Sequence, residues 1–305
     1  MAVSEQEQRR VALEDLKGKI ARWTEDGERL ETSIPGLFLF KAGAPTEPMS
    51  VLSEPSVCLI AQGSKRLMIG EETLEYSPEK YLLTSIHVPI VGHVNQASQE
   101  SPYLGLRMTF DPQQLSQLMT DSNLPAPKNA QPERGMGVSR VTLPMLSAFQ
   151  RLVGLLDEPE DIPILAPTLQ KEIVYRLLVG EQGARLRNIA MAGSQSNHIA
   201  RTIDWLNQNF TQQLKVEDLA SMAQMSNSTF YQHFRSMTAL SPLQYQKRLR
   251  LQEARRLMLS DDIDAASAGF QVGYESASQF SREYRRHFGA PPVRDIQQLK
   301  ETVPV

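Results

Sequence analysis

Near the carboxyl end, two groups of side chains have the makeup of a surface that reads DNA. The first is Ser228, Thr229, Tyr231, Gln232 and Arg235. The second is Ala277, Ser278, Gln279, Arg282, Arg285 and Arg286. Glutamine and arginine are the usual readers of base edges, and short polar residues at a helix start can approach bases or phosphates. Ala277 cannot hydrogen-bond a base through its side chain; it can touch a thymine methyl or let a helix come close. A merely solvated helix face predicts balanced Lys and Glu pairs instead, and few occur here.

The elements that must position these groups are written twice, fifty positions apart. Phe230-Tyr231-Gln232-His233-Phe234-Arg235 aligns with Phe280-Ser281-Arg282-Glu283-Tyr284-Arg285, Ala239 with Gly289, and Pro242 with Pro292. Phe230 and Phe234 are one helical turn apart, as are Phe280, Tyr284 and Phe288, so each copy predicts a helix that buries an aromatic stripe. Two copies are too few for a solenoid and imply two related helical units in one domain. A DNA-reading helix-turn-helix needs a small residue at the helix crossing, a short turn and an apolar anchor. The first copy offers Ala220, Gln224–Ser226 and Phe230; the second offers Gly269, Gly273 and Phe280. Small residue and anchor are ten apart in the first copy and eleven in the second, which predicts a second turn one residue longer.

Composition sets wider bounds. The chain of 305 residues has a net charge of −3, so no whole-chain bias points to nucleic acid or membrane. The charge is uneven: residues 226–256 hold six basic residues and one acid, a local excess suited to phosphates. The single cysteine, Cys58, excludes a disulfide within the chain and fits a reducing cytoplasm. No apolar signal core and no membrane-length apolar run is present. No phosphate loop, serine elbow or paired acids at a telling spacing suggests an enzyme.

Residues 5–23 read as one amphipathic helix. Between Ile34 and Phe110, short apolar runs with Gly, Pro and Ser between them predict an antiparallel β-sandwich or small barrel. Helices are expected from Asp111, over 142–157 and over 163–180, residues 121–139 as a loop, and 186–196 as a linker. After the linker everything reads as helix: 198–210, 216–223, 227–237, 242–259, 262–270 and 275–288, with a short tail from Arg294. The whole is α+β: a β domain with flanking helices over 1–185 and an all-α domain over 197–298.

The carboxyl-terminal residues resemble the AraC/XylS family of bacterial transcription regulators. The likeness rests on Ser241-Pro242, Arg248-Leu249, Ala254-Arg255-Arg256-Leu257, Val272-Gly273-Tyr274-Glu275-Ser276, Phe280 to Tyr284, and Phe288-Gly289-Ala290-Pro291-Pro292. Gln62-Gly63-Ser64-Lys65 and Ala97 to Leu104 resemble the cupin-like amino-terminal domain of one subgroup. The resemblance implies two helix-turn-helix units joined by a long helix and entering successive major grooves of operator DNA. It places base reading on Ser228, Tyr231, Gln232, Ala277, Ser278 and Arg282. It also implies a small-molecule effector and a homodimer, with RNA polymerase as a further partner. Ala239 departs from the family's usual glycine. Cys58, His87 and His93 are candidate effector contacts, Cys58 as a thiol open to an electrophile. The His-x-His and trailing Glu of metal-binding cupins are absent, so neither metal nor cofactor is expected. A cupin-type enzyme with a helical appendage and an all-helical interaction module are the alternatives.

Overall fold

Alternation of apolar residues decides the amino-terminal architecture. In the computed structural model, which describes residues 4–25, 27–125, 127 and 131–302, ten strands form two antiparallel sheets. The larger sheet has the order β1 (Arg29–Glu31), β2 (Leu37–Ala42), β9 (Tyr103–Thr109), β4 (Ser56–Gln62), β7 (Lys80–Thr84), β10 (Met136–Arg140). The smaller has the order β3 (Met49–Ser53), β8 (Val88–Gln96), β5 (Ser64–Ile69), β6 (Glu72–Tyr76). Successive side chains of a strand face opposite ways. So Val57, Leu59 and Ala61 of β4 join one core, while Cys58 and Ile60 join another. The first core is closed by α1 (Glu5–Trp23), α2 (Pro112–Asp121), α3 (Leu143–Gly154) and α4 (Ile162–Val179). The second lies between the sheets.

The carboxyl-terminal part is helical throughout: α6 (Gln195–Asn209), α7 (Val216–Met222), α8 (Asn227–Thr238), α9 (Pro242–Ser260), α10 (Ala265–Gln271), α11 (Ala277–Phe288) and α12 (Pro292–Thr302). Its two aromatic stripes sit in two separate cores, Phe230 and Phe234 in one, Phe280 and Tyr284 in the other.

Three expectations need correction. The loop expected over 121–139 ends in strand β10, whose pairing partner β7 lies some fifty residues earlier and leaves no local trace. The expected linker carries a helix, α5 (Gly183–Ala190), because Leu186 is buried with the β domain and Ile189 with the helical one. The expected tail is α12, with Ile296 and Asp295 buried.

Candidate nucleic-acid interface

Both units build the same turn. In the first, the Met225 amide donates to the Ala220 carbonyl (2.9 Å) and Gln224 takes a positive φ of 56°. In the second, the Tyr274 amide donates to the Gly269 carbonyl (3.0 Å) and Gly273 has a φ of 91°. The second loop then runs one residue longer, from Gly273 to the N-cap Ser276 instead of from Gln224 to Ser226, as the spacing predicts. Each N-cap serine accepts a hydrogen bond from the third helical residue: Thr229 N at 3.3 Å and Gln279 N at 3.4 Å. At the second helix crossing a Cβ on Gly269 would lie 2.9 Å from the Phe280 ring, so glycine permits the approach. Each helix ends on a left-handed residue, Ala239 (φ 62°) and Gly289 (φ 86°). Alanine pays a steric cost of about 1–2 kcal/mol there that glycine does not.

These helices present the side chains expected of them. Ser228, Tyr231, Gln232 and Arg235 are exposed on α8, with Thr229 half-buried. Ser278, Gln279, Arg282, Arg285 and Arg286 are exposed on α11, with Ala277 half-buried at its start. Among the described residues no carboxylate lies within ion-pair distance of the Arg235, Arg282, Arg285 or Arg286 side chains. The basic excess of 226–256 is spent differently from its sequence reading. Lys247 pairs with Glu283, Arg255 with Asp295 and Arg256 with Glu253, while Arg250 binds backbone carbonyls and Arg248 is half-buried. Arg235 alone of the six is exposed without an acidic partner; three further exposed arginines without one, Arg282, Arg285 and Arg286, lie together on α11.

The two parts of the chain touch at the far ends of both helices. Arg134 donates to the carbonyls of Arg235 (2.9 Å) and Ser236 (2.5 Å) at the end of α8 while paired with Glu72. The Gly135 amide donates to Met237 O (2.8 Å), and the Ser236 hydroxyl donates to Pro132 O (2.8 Å). Cations and amide donors there satisfy the orphan carbonyls of a helix C-terminus. At the end of α11, His287 Nε2 lies 3.1 Å from the Ser50 hydroxyl, which also accepts from Gln252 Nε2 at 3.0 Å. Arg134 and Ser50 carry no local motif, so sequence reasoning missed both.

The three candidate effector residues do not converge. His87 precedes β8 and meets Asp204 of α6 at 3.2 Å, and the Tyr245 hydroxyl lies 3.0 Å from the His87 carbonyl. His93 stands opposite Arg66 in the β5–β8 ladder. Cys58 lies between the sheets beside Lys65, Tyr76, Tyr103 and Arg107. Burial pushes its thiol up and outweighs the nearby cations, which opposes the thiolate an electrophile would need. Burial likewise pushes the Lys65 amine down. Among the described residues no three His, Cys, Asp or Glu side chains are grouped to hold a metal.

His287 links the geometry to pH. Burial, followed by the nearby charges of Arg248 and Arg255, holds its ring down at about 4 against an ordinary 6.5. Between those values the unfolded imidazole takes up a proton that the folded one does not. Stability is therefore present above about pH 6.5 and falls as pH drops towards 4. Urea titrations across this window are expected to show that slope, and His287→Asn to flatten it. An equal slope in the variant would assign the effect to other groups.

Fold and surface together define a two-domain protein: a β-sandwich with flanking helices beside a helical domain that displays two helix-turn-helix faces. The chain belongs to the AraC/XylS family of transcriptional regulators: residues 33–185 match the family described as the AraC-type transcriptional regulator N-terminus. Residues 219–297 match a helix-turn-helix domain. The transcriptional activator RhaS of Escherichia coli is 27% identical over 164 residues, 53% of this chain and 58% of that protein. RhaS of Salmonella schwarzengrund is 27% identical over 167 residues, 54% and 58% of the two chains. This chain thus spans 58% of the length of these curated relatives. Among solved structures, an apo ToxT variant from Vibrio cholerae aligns with a TM-score of 0.56 at 10% identity, over 88% of this chain and all of that one. Wild-type ToxT with bound unsaturated fatty acid aligns at 0.54 and 11% identity, over 86% and 93%. At such identities the likeness speaks to the fold.

Proposed function

We propose that this chain regulates transcription by binding operator DNA through α8 and α11, under control of a small molecule taken up by the β domain. The observation that carries the reading is the pair of exposed helix faces, built by the same turn and bearing arginines with no acid beside them. An ordinary helical bundle gains nothing by leaving Arg282, Arg285 and Arg286 unpaired on one helix. Base contacts fall to Ser228, Tyr231, Gln232, Ser278 and Arg282. Thr229, Arg235, Gln279 and Arg286 face the sugar-phosphate backbone, and Ala277 lets the second helix approach. The two helices then enter grooves about one helical turn, roughly 34 Å, apart. Cys58, the candidate contact for an electrophilic effector, sits in the packed core between the sheets. His87 and His93 lie away from it, His87 at the contact with α6, where it is placed to pass on a change in the β domain. A homodimer working beside RNA polymerase in the cytoplasm completes the reading. Among the described residues no helix is long and apolar enough to cross a membrane.

The test is to select genomic fragments with the purified protein and then compare variants on the selected site. Arg282→Ala is expected to lose about 1–3 kcal/mol of specific binding and to relax selectivity at one base pair, with weak non-specific binding kept. Failure of the wild-type protein to enrich any fragment, or an unchanged footprint for the variant, would count against the assignment.

A further inference from the structure

The long helix α9 does more than connect the two units. Arg250, at its middle, donates to four backbone carbonyls: through Nε to Phe210 (2.7 Å), through Nη2 to Thr211 (3.0 Å) and Gln212 (2.9 Å), and through Nη1 to Gly273 (2.8 Å). The first three belong to the loop that leads into α7 of the first unit. The fourth belongs to the turn of the second unit. One turn earlier on the same face, Gln246 Nε2 holds the same loop through Phe210 O (2.8 Å) and Gln212 O (2.7 Å). The two units also meet directly: a Cβ on Gly273 would lie 2.2 Å from the Thr211 carbonyl. Lys247 adds a brace from α9 to Glu283 of α11 at 3.0 Å.

We propose that Arg250 is a positioning residue that fixes the spacing and phase of the two recognition helices, so that the domain reads a bipartite site of one set length. This rests on the DNA-binding reading for its consequence, but not for its geometry. A planar guanidinium offers five donors in a fixed fork and reaches both units at once. A lysine ammonium offers donors from a single point and cannot span the loop and the turn together. If Arg250 were instead a phosphate contact, lysine would replace it without loss.

Two measurements on the full-length protein separate these outcomes. In a Cys58→Ser background with Ser228→Cys and Ser278→Cys nitroxide-labelled, pulsed electron paramagnetic resonance without DNA is expected to give a narrow distance distribution. Adding Arg250→Lys is expected to broaden it, and adding Gly273→Ala to displace it. An unchanged distribution in both would overturn the proposal even if DNA binds normally. On the selected operator, Arg250→Lys in the unlabelled protein is expected to lose about a hundredfold in affinity for the full site. Affinity for either half alone should stay within about twofold, and one inserted base pair between the halves should be tolerated better than by the wild type. Wild-type affinity together with wild-type spacing discrimination in Arg250→Lys would also overturn it. A broadened distribution in a protein that selects no DNA would uphold the role of Arg250 and defeat the DNA-binding reading instead.

Discussion

Asp295→Ala is expected to destabilise the second helix-turn-helix unit by about 3–5 kcal/mol. The Asp295 side chain is 9% exposed, and its carboxylate accepts three hydrogen bonds. Two come from Arg255, through Nε and Nη2 at 2.8 Å each, and one from the Tyr284 hydroxyl at 2.7 Å. Burial and this bond to Asp295 push the Tyr284 phenol far up, so it stays a donor at any ordinary pH. Arg255 in turn lies 4.3 Å from the centre of the Phe288 ring. Removing the carboxylate leaves a buried phenol and a mostly covered guanidinium without their acceptor. The loss of a partner from a buried charged pair costs much more than the net worth of the pair. Asp295→Asn keeps one acceptor oxygen and should cost less. Urea denaturation followed by tyrosine fluorescence and circular dichroism checks the ordering; a loss under about 1 kcal/mol for the alanine variant would show that water reaches the site and relieves it.

Asp295 also shows where sequence reasoning stops. The aromatic stripes at Phe230, Phe234, Phe280 and Tyr284 were legible because their burial follows from helical period alone. Both turns were legible because a small residue, a short loop and an anchor recur at nearly one spacing. The exposed faces followed, since whatever the stripe does not bury must point outward. In sequence Asp295 reads as part of a tail because its partners Arg255 and Tyr284 lie forty and eleven residues back, a pairing no local window contains. Arg134 is more remote still, bonded to carbonyls about a hundred residues later. Strand β10 has only Met136 and Val138 as apolar residues, and its existence depends on β7 being free to pair. The excess of basic residues in 226–256 misled for the same reason: charge can be counted along a chain, but whether an arginine faces solvent or a carbonyl depends on the fold. Arg250 adds to the count of a phosphate-binding surface, yet in the fold it binds the protein's own carbonyls.

Phe234→Ala is expected to cost about 3–5 kcal/mol and to have a wider reach than Asp295→Ala. Phe234 is fully buried, with the Phe230 ring 5.5 Å away and the Tyr245 ring 5.5 Å away at 86°. Truncation leaves a cavity between α8 and α9 that helices anchored at both ends cannot fully close. The end of α8 is also what Arg134, Gly135 and Pro132 hold, and Tyr245 is what reaches His87. Loosening this core therefore releases the β domain's grip on α8 as well as the helix itself. The second unit has its own core around Phe280, joined to the first mainly through Arg250 and Phe210. Hydrogen exchange should show the pattern: amides of α7 and α8 and the Gly135 amide lose protection together, while β4 and β9, in a core that shares no residue with Phe234, keep theirs. Protection lost evenly across both domains would mean that they unfold as one unit. Protection kept at Gly135 while α8 exchanges freely would mean that the β domain holds its loop without the helix, and any coupling between the β domain and α8 would run through His87 and α6.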